Sequence, residues 1–221
     1  MSSSKSFSKV FILLGILILP SIAYLIVSSG DNKYSHLEIF GPKEPSSTHP
    51  GDTVFHQVAP FTLVSQNGAS FTSDQLKDKI YVTDFFFATC QTICPKMNMQ
   101  MKRVQEAYKD DAEILLLSHT VNPEKDTVEA LAKYAQEYGA ISGKWFFLTG
   151  DKKQIYDLAR NSYFITAMKG DGGPDDFVHS EKIVLIDKDQ RIRGFYDGTD
   201  YESINLLIDE IKVLKWEYSH Q

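Results

Sequence analysis

The stretch IYVTDFFFATCQTICPKM, Ile80 to Met97, joins a strongly apolar segment to the two cysteines of the chain. Ile80 to Ala88 is rich in β-branched and aromatic residues and is apolar on both faces, which predicts a central strand covered on both sides. Proline is favoured in the first turn of a helix, so we predict that a helix begins at Pro95. The stretch therefore predicts a buried strand, a loop that carries Cys90 and Cys94, and a helix.

The segments around this stretch predict alternating strands and helices. Two apolar runs that flank Asn67-Gly68 predict a hairpin over 61–72. The other predicted elements are a strand over 113–121, a helix over 126–139, a strand over 144–150, a helix over 152–161, a hairpin over 180–198 and a helix over 201–216. The pair Asp126 and Glu129 has the pattern of a helix cap. Crossover helices require a parallel portion of the sheet, and the last hairpin adds an antiparallel pair. This order predicts an α/β fold of the thioredoxin-like type, a mixed sheet with flanking helices and extra hairpins at its N-terminal and C-terminal ends.

The N-terminal part of the chain predicts a membrane segment. The stretch from 10 to 27 is uncharged, and at 1.5 Å per residue it would reach roughly 27 Å, close to the hydrocarbon thickness of about 30 Å. The two lysines before it place residues 1–9 in the cytoplasm. We predict a transmembrane signal anchor over 10–27 in the inner or plasma membrane, a flexible tether over 28–52 and an exported domain over 53–221. A cleaved signal peptide is the alternative interpretation.

Composition narrows the role of the two cysteines. A hydrophobic content of 43% with 14 Phe is enough for a sizeable core, so a stabilising disulfide is not required. A bridge across so short a loop would also remove little entropy from the unfolded chain. A redox pair and half of a metal site therefore remain as the two interpretations of the cysteines.

The net charge of −6 at pH 7 argues against nucleic acid as a partner.

The cysteine motif and one histidine form the candidate site. Cys90 and Cys94 lie just before a predicted helix, whose N-terminus stabilises thiolates, and their spacing allows the two sulfurs to approach each other. These features serve redox exchange and metal binding equally well. His179 stands at the start of the predicted hairpin, where a generic thiol oxidoreductase has a cis-proline. Two thiolates and one imidazole make a soft site suited to copper, whereas zinc takes a fourth ligand. A histidine with no role in the site is the alternative.

Three further side chains are candidates for secondary roles. Asp84 lies six residues before Cys90 in an apolar strand, where a buried carboxyl group would serve as a proton acceptor, or else only as a hydrogen-bonded strand end. Met97 and Met101 share one face of the predicted helix, and we expect them to fill the core rather than to bind copper. We expect a local hydrogen bond for His119.

Three longer stretches resemble the signatures of the Sco/SenC proteins, which are membrane-anchored copper chaperones with a thioredoxin-like fold. They are DFFFATCQTICPKM, VNPEKDT and FVHSEKIVLIDKDQRIRGFYDGT, and the resemblance runs from about Val58 to Gly198. It implies that Cys90, Cys94 and His179 bind copper, principally Cu(I) and also Cu(II). It also implies that the protein delivers copper to, or reduces cysteines in, the dinuclear copper site of the copper-bearing subunit of cytochrome c oxidase. A thiol reductant protein is a second expected partner, because both cysteines must be reduced before they bind the metal.

The chain departs from the usual family pattern in two places, and both changes remove an acidic group. Gln91-Thr92-Ile93 stands between the cysteines where the family has Pro-Asp-Val, and Val178 stands where an aspartate precedes the histidine. The three ligands are kept, so a metallochaperone rather than a catalyst is our prediction. The alternative is an exported thiol-disulfide oxidoreductase in which Cys90 attacks, Cys94 resolves and Asp84 accepts a proton.

Overall fold

The protein is described by a computed structural model that covers residues 14–16, 18–22, 24, 36–46, 51–165 and 180–220. The chain divides into two units, Met1–Ser35 and His36–Gln221. Short helical stretches are described in the first unit. Over the described residues, no helix combines the length and the apolar character that a membrane crossing needs. The predicted anchor lies partly outside these residues and stays a prediction.

The second unit is built on a mixed sheet with helices on both faces. Its strands are β1 (Lys43–Pro45), β2 (Thr53–Phe55), β3 (Thr62–Ser65), β4 (Ser70–Thr72), β5 (Ile80–Phe86), β6 (Ile114–Thr120), β7 (Trp145–Thr149), β8 (Lys182–Ile186) and β9 (Ile192–Asp197). Its α-helices are α1 (Cys94–Tyr108), α2 (Val128–Tyr138), α3 (Lys152–Asp157) and α4 (Tyr201–Ser219). A short 3₁₀-helix covers Ser73–Leu76, and a π-helix over Leu158–Ser162 continues α3. Strands β1 and β2 form a separate pair, and the seven others form one sheet in the order β4-β3-β7-β6-β5-β8-β9. Strands β5, β6 and β7 are parallel and the remaining pairs of this sheet are antiparallel, which confirms the thioredoxin-like fold.

The centre of the sheet is covered on both faces. Every residue of β5 and of β6 is buried, and the two strands pair in parallel from Ile80 with Ile114 to Phe86 with Thr120. On one face α1, α2 and α4 pack over a cluster that includes both cysteines, and on the other face α3 packs over a second cluster. This burial explains why β5 reads as apolar without alternation, and it confirms the predicted central strand.

The predicted hairpins are also confirmed, as are the end of α2 at Gly139 and the starts of α3 and α4, whereas α3 ends earlier and α4 ends later than predicted. Strands β3 and β4 turn at Asn67-Gly68, where Gly68 has a φ of 78°, a conformation that favours glycine. Gly139 ends α2 with a φ of 70°. The cap of α2 differs from the prediction, because Thr127 rather than Asp126 accepts the hydrogen bond from the backbone N–H of Ala130. Both residue types can cap a helix, and Asp126 makes other contacts.

Residues 36–46, which we call the N-terminal strap, pack against the domain although the sequence predicts a tether there. Glu217 accepts a hydrogen bond from the backbone N–H of Leu37 at 2.6 Å. The guanidinium of Arg193 donates to the carbonyl oxygens of Leu37 at 2.7 Å and Glu38 at 3.2 Å, and it pairs with Glu217 at 2.6 Å. Further along, the backbone N–H of Phe40 donates to Ile192 at 2.9 Å. The second unit therefore begins at His36, ahead of the predicted boundary at 53.

Candidate metal and thiol site

The loop between β5 and α1 brings the two cysteines together. Cys90 and Cys94 are free thiols with 7% and 2% of their surface exposed. The backbone N–H of Cys94 donates to the sulfur of Cys90 at 3.5 Å, and the N–H of Cys90 donates to the carbonyl oxygen of Phe87 at 3.1 Å. The loop therefore curls back so that the first sulfur lies over the start of the helix, as the four-residue spacing predicts.

Helix α1 begins one residue earlier than predicted, at Cys94. A residue that precedes proline disfavours the helical conformation, which is why the sequence places the start at Pro95. Here the N–H of Cys94 has found an acceptor in the sulfur of Cys90, and Pro95 needs no acceptor at all in the first turn. The second cysteine is consequently held by the helix, while the first belongs to the loop.

The two thiols differ in acidity because their surroundings differ. Burial raises the pKa of Cys90, but the hydrogen bonds that it receives from Cys94 and Thr92 outweigh this and lower the pKa to about 7. Burial raises the pKa of Cys94 to about 12, helped by the neighbouring Cys90. Cys90 is therefore the more acidic thiol and is partly ionised at neutral pH, whereas Cys94 keeps its proton until a metal or a reaction removes it.

Asp84 lies on the same face of the sheet as the cysteines and is fully buried. Its Oδ1 accepts a hydrogen bond from the hydroxyl of Ser118 at 2.5 Å, and Ser118 in turn accepts one from the indole N–H of Trp145 at 3.0 Å. Its Oδ2 has no partner within the described structure. Burial raises the pKa of Asp84 to about 7, against a smaller opposite effect of Ser118. A carboxyl group of this acidity exchanges protons near neutral pH.

The buried carboxyl group of Asp84 predicts a pH-dependent stability. Its pKa is higher in the folded state than in the unfolded state, so its favourable contribution is complete below about pH 4 and is lost as the pH rises to about 7. We expect Asp84→Asn to raise the free energy of unfolding at pH 8 by a few kcal/mol and to change it little at pH 4. Urea titrations at pH 4, 6 and 8 measure this.

The matched control for Asp84→Asn is Asp74→Asn, a single substitution of an exposed aspartate in the otherwise wild-type protein. This surface variant is expected to stay within about 0.5 kcal/mol of the wild type at each pH. A gain from Asp84→Asn that is equal at pH 4 and pH 8 would contradict the buried, proton-binding carboxyl group.

The third predicted ligand, His179, lies outside the described residues, as does Val178. Within the residues that are described, no group of three or more histidine, cysteine, aspartate or glutamate side chains could hold a metal ion. The structure thus brings together Cys90, Cys94 and, beneath them, Asp84. The role of His179 stays a prediction.

The secondary candidates occupy the core. Met97 and Met101 are fully buried in the cluster on the cysteine face, as expected for core residues. His119 is buried on the opposite face, where its Nδ1 lies 3.1 Å from the hydroxyl of Thr83 and its ring stacks on Phe85. Burial lowers the pKa of His119 to about 3, so the ring is neutral. The expected hydrogen bond is found at Nδ1, where the partner lies on the neighbouring strand β5, whereas Nε2 has no partner among the described residues.

One contact of the cysteine loop was missed from the sequence. The carboxyl group of Asp126 accepts hydrogen bonds from the backbone N–H of Ala88, at 3.1 Å, and from the hydroxyl of Thr120. The capping pattern drew attention to Asp126 but assigned it to the start of α2. A signal that could have corrected this is the extra capping residue, Thr127, directly after it.

Fold and loop together define a class of protein, the thioredoxin-like proteins with a reduced Cys-x-x-x-Cys pair at the start of a helix. The SCO1/SenC family profile matches residues 51–214. A SCO1 protein homolog of Bacillus subtilis (strain 168) is 30% identical over 163 residues, which are 73% of this chain and 84% of the homolog. The chain therefore belongs to the SCO1/SenC family.

Two solved structures show the same fold in relatives. BsSco, a member of the Sco family of cytochrome c oxidase assembly proteins for which a disulfide switch is described, is 29% identical with a TM-score of 0.61, over 72% of this chain and 93% of that chain. ScoI of Arabidopsis thaliana, with copper bound, is 26% identical with a TM-score of 0.56, over 70% of this chain and 97% of that chain.

Proposed function

We propose that this protein is a membrane-anchored copper chaperone that delivers copper to the dinuclear copper site of cytochrome c oxidase during its assembly. The observation that carries the proposal is the pair of reduced, adjacent thiols on the fold of a family in which a relative holds copper. Cys90 and Cys94 supply thiolates, and His179 supplies an imidazole. Soft ligands in low number favour Cu(I), with Cu(II) as the second ion bound.

The two cysteines differ in acidity, and this affects how each of them would bind copper. Cys90 is the more acidic thiol and offers a thiolate at neutral pH, whereas Cys94 must lose a proton when the metal binds. The loop already places the sulfur of Cys90 over the N–H of Cys94, so little rearrangement is needed before the metal is held. Transfer then proceeds by exchange of these ligands for cysteines and histidines of the recipient subunit.

Membrane attachment is part of the proposal. The uncharged stretch over 10–27 would anchor the protein in the inner or plasma membrane, with residues 1–9 in the cytoplasm and the folded domain on the exported side. Such an anchor would keep the domain beside a membrane-embedded oxidase. A separate thiol reductant protein would restore the two thiols after oxidation.

A second candidate function is thiol-disulfide exchange, and the buried Asp84 favours it. The Cys90 thiolate would attack a partner disulfide and form a mixed disulfide, releasing one partner thiolate. Cys94 would then give its proton to the carboxylate of Asp84 and attack the sulfur of Cys90, which releases the second partner thiolate. Two electrons pass from the dithiol to the partner, and the protein is left with a disulfide.

A competition titration of Cu(I) with the reduced protein and with His179→Ala distinguishes the two functions. For a chaperone with three ligands, we expect one tight equivalent whose affinity falls by about tenfold or more, or about 1.4 kcal/mol, without the imidazole. His220→Ala, at an exposed histidine near the C-terminus, is the matched control and is expected to bind as the wild type does. Affinity that does not depend on His179, or no binding, would leave the dithiol alone and favour the exchange function.

A further inference from the structure

The carboxyl group of Asp126 links two loops at one edge of the sheet. Only 1% of the residue is exposed. Its Oδ2 accepts both hydrogen bonds, one from the backbone N–H of Ala88 at 3.1 Å and one from the hydroxyl of Thr120. The hydroxyl oxygen of Thr120 also accepts a bond from the backbone N–H of Asn122 at 3.0 Å. A single oxygen atom thus ties the end of β6 to the segment that follows β5.

These bonds occur where the cysteine loop leaves the sheet. Strands β5 and β6 are parallel, so their carboxyl ends meet at the same edge, and the N–H of Val121 extends the ladder by donating to Phe86 at 2.8 Å. The pairing of the two strands ends at Phe86 and Thr120. Ala88 lies two residues before Cys90, and its bond to Asp126 is a fixed point in the short path from the sheet to the first sulfur.

The position of Asp126 is not explained by helix capping or by an ion pair. Thr127 caps α2, and in the described part of the chain no lysine, arginine or histidine forms a salt bridge with Asp126. Burying a carboxyl group is costly unless its oxygens are hydrogen-bonded. The bonds from Ala88 and Thr120 offset that cost. They connect Asp126 to the start of the cysteine loop and to the end of β6, and not to helix α2.

We propose that Asp126 is a positioning residue for the Cys90–Cys94 pair. Its carboxyl group holds the start of the cysteine loop, so that the two sulfurs stay close together. This inference rests on the proposed function as far as copper is concerned, but it applies to any reaction that needs both sulfurs at once. Ligands that are held in place before binding lose less conformational entropy when they bind. Asp126 touches neither sulfur, so it acts through the backbone of Ala88.

Two thiol measurements on the full-length protein test this role. The first is the equilibrium constant for the reaction of the dithiol with glutathione disulfide. Its products are the Cys90–Cys94 disulfide within the protein and two molecules of reduced glutathione. The second is Cu(I) affinity. We expect Asp126→Ala to lower both constants by about tenfold or more, because the sulfurs spend less time together. Asp126→Asn keeps an oxygen that can accept both bonds, so it is expected to remain within about threefold of the wild type.

Hydrogen exchange at the backbone N–H of Ala88 reports the bond itself. Exchange in Asp126→Ala is expected to be at least about tenfold faster than in the wild type. The matched control is Asp111→Ala, which removes bonds to the N–H of Glu113 and to Lys215 at the opposite end of β6. This control is expected to lower stability while both thiol constants stay within about threefold.

The outcomes separate this role from the copper function. A shifted glutathione equilibrium in a protein that binds no Cu(I) would support the positioning role and overturn the chaperone function. Unshifted thiol constants in folded Asp126→Ala, or an equal loss in Asp126→Asn, would overturn the positioning role and leave the chaperone function standing. Should Asp126→Ala fail to fold, Thr120→Val removes one of the two donors and is expected to shift both constants in the same direction; no shift there would overturn the role as well.

Discussion

Replacing either Cys90 or Cys94 by serine is expected to lower Cu(I) affinity by about 1000-fold or more, which corresponds to about 4 kcal/mol. A serine hydroxyl is a hard, neutral ligand, whereas Cu(I) prefers a thiolate, so each substitution would remove one of the two strong ligands proposed for this site. The loss should greatly exceed that of His179→Ala, because the thiolates carry the charge that balances the metal. Competition titrations under reducing conditions measure all three variants on one scale.

Two methionines provide the controls for these serine variants. Met97→Leu and Met101→Leu each remove a soft sulfur from the helix that begins at Cys94, and both residues are fully buried in the core. They are expected to bind Cu(I) within about threefold of the wild type. If Cys90→Ser or Cys94→Ser lowers the Cu(I) affinity by less than tenfold, the sulfur of that cysteine is not a copper ligand.

Deleting the N-terminal strap is expected to lower the free energy of unfolding by about 3 kcal/mol. The comparison is between residues 36–221 and residues 47–221, which differ by the strap alone. The shorter chain leaves Glu217 without the N–H of Leu37 and leaves Arg193 without two carbonyl acceptors. Both charged side chains are nearly buried, so these partners are only incompletely replaced by water. A lower urea midpoint at constant slope would report the loss.

An exposed residue of the same segment serves as the control for the deletion. Glu44 lies in β1, whose three residues are all exposed. Glu44→Ala in the longer chain is expected to change stability by less than about 0.5 kcal/mol. Equal midpoints for the two chain lengths would mean that the strap adds nothing to the stability of the domain.

The sheet and its cysteine loop were predictable because their signals are local. An apolar run without alternation predicted the buried β5, and Asn67-Gly68 predicted the turn between β3 and β4. The adjacency of Cys90 and Cys94 followed from their spacing in the sequence. Each of these inferences needs only a few neighbouring residues.

The strap and the contact of Asp126 were not predictable in this way, because their partners are distant in sequence. Leu37 and Phe40 belong to a short apolar group in a polar segment, and nothing near them indicates Arg193 or Glu217. Asp126 and Thr127 are both good capping residues, and only the neighbouring strand decides between them. His179 remains a prediction from the sequence alone.

The placement of β8 has a consequence for the order of folding. Strand β5 has β6 on one side and β8 on the other, and β8 comes near the end of the chain. Pairings between strands so far apart in sequence form late, because a long loop must close first. The strand that leads into the cysteine loop is therefore expected to stay open along one edge until β8 has been made and has paired with Tyr81, Val82 and Thr83.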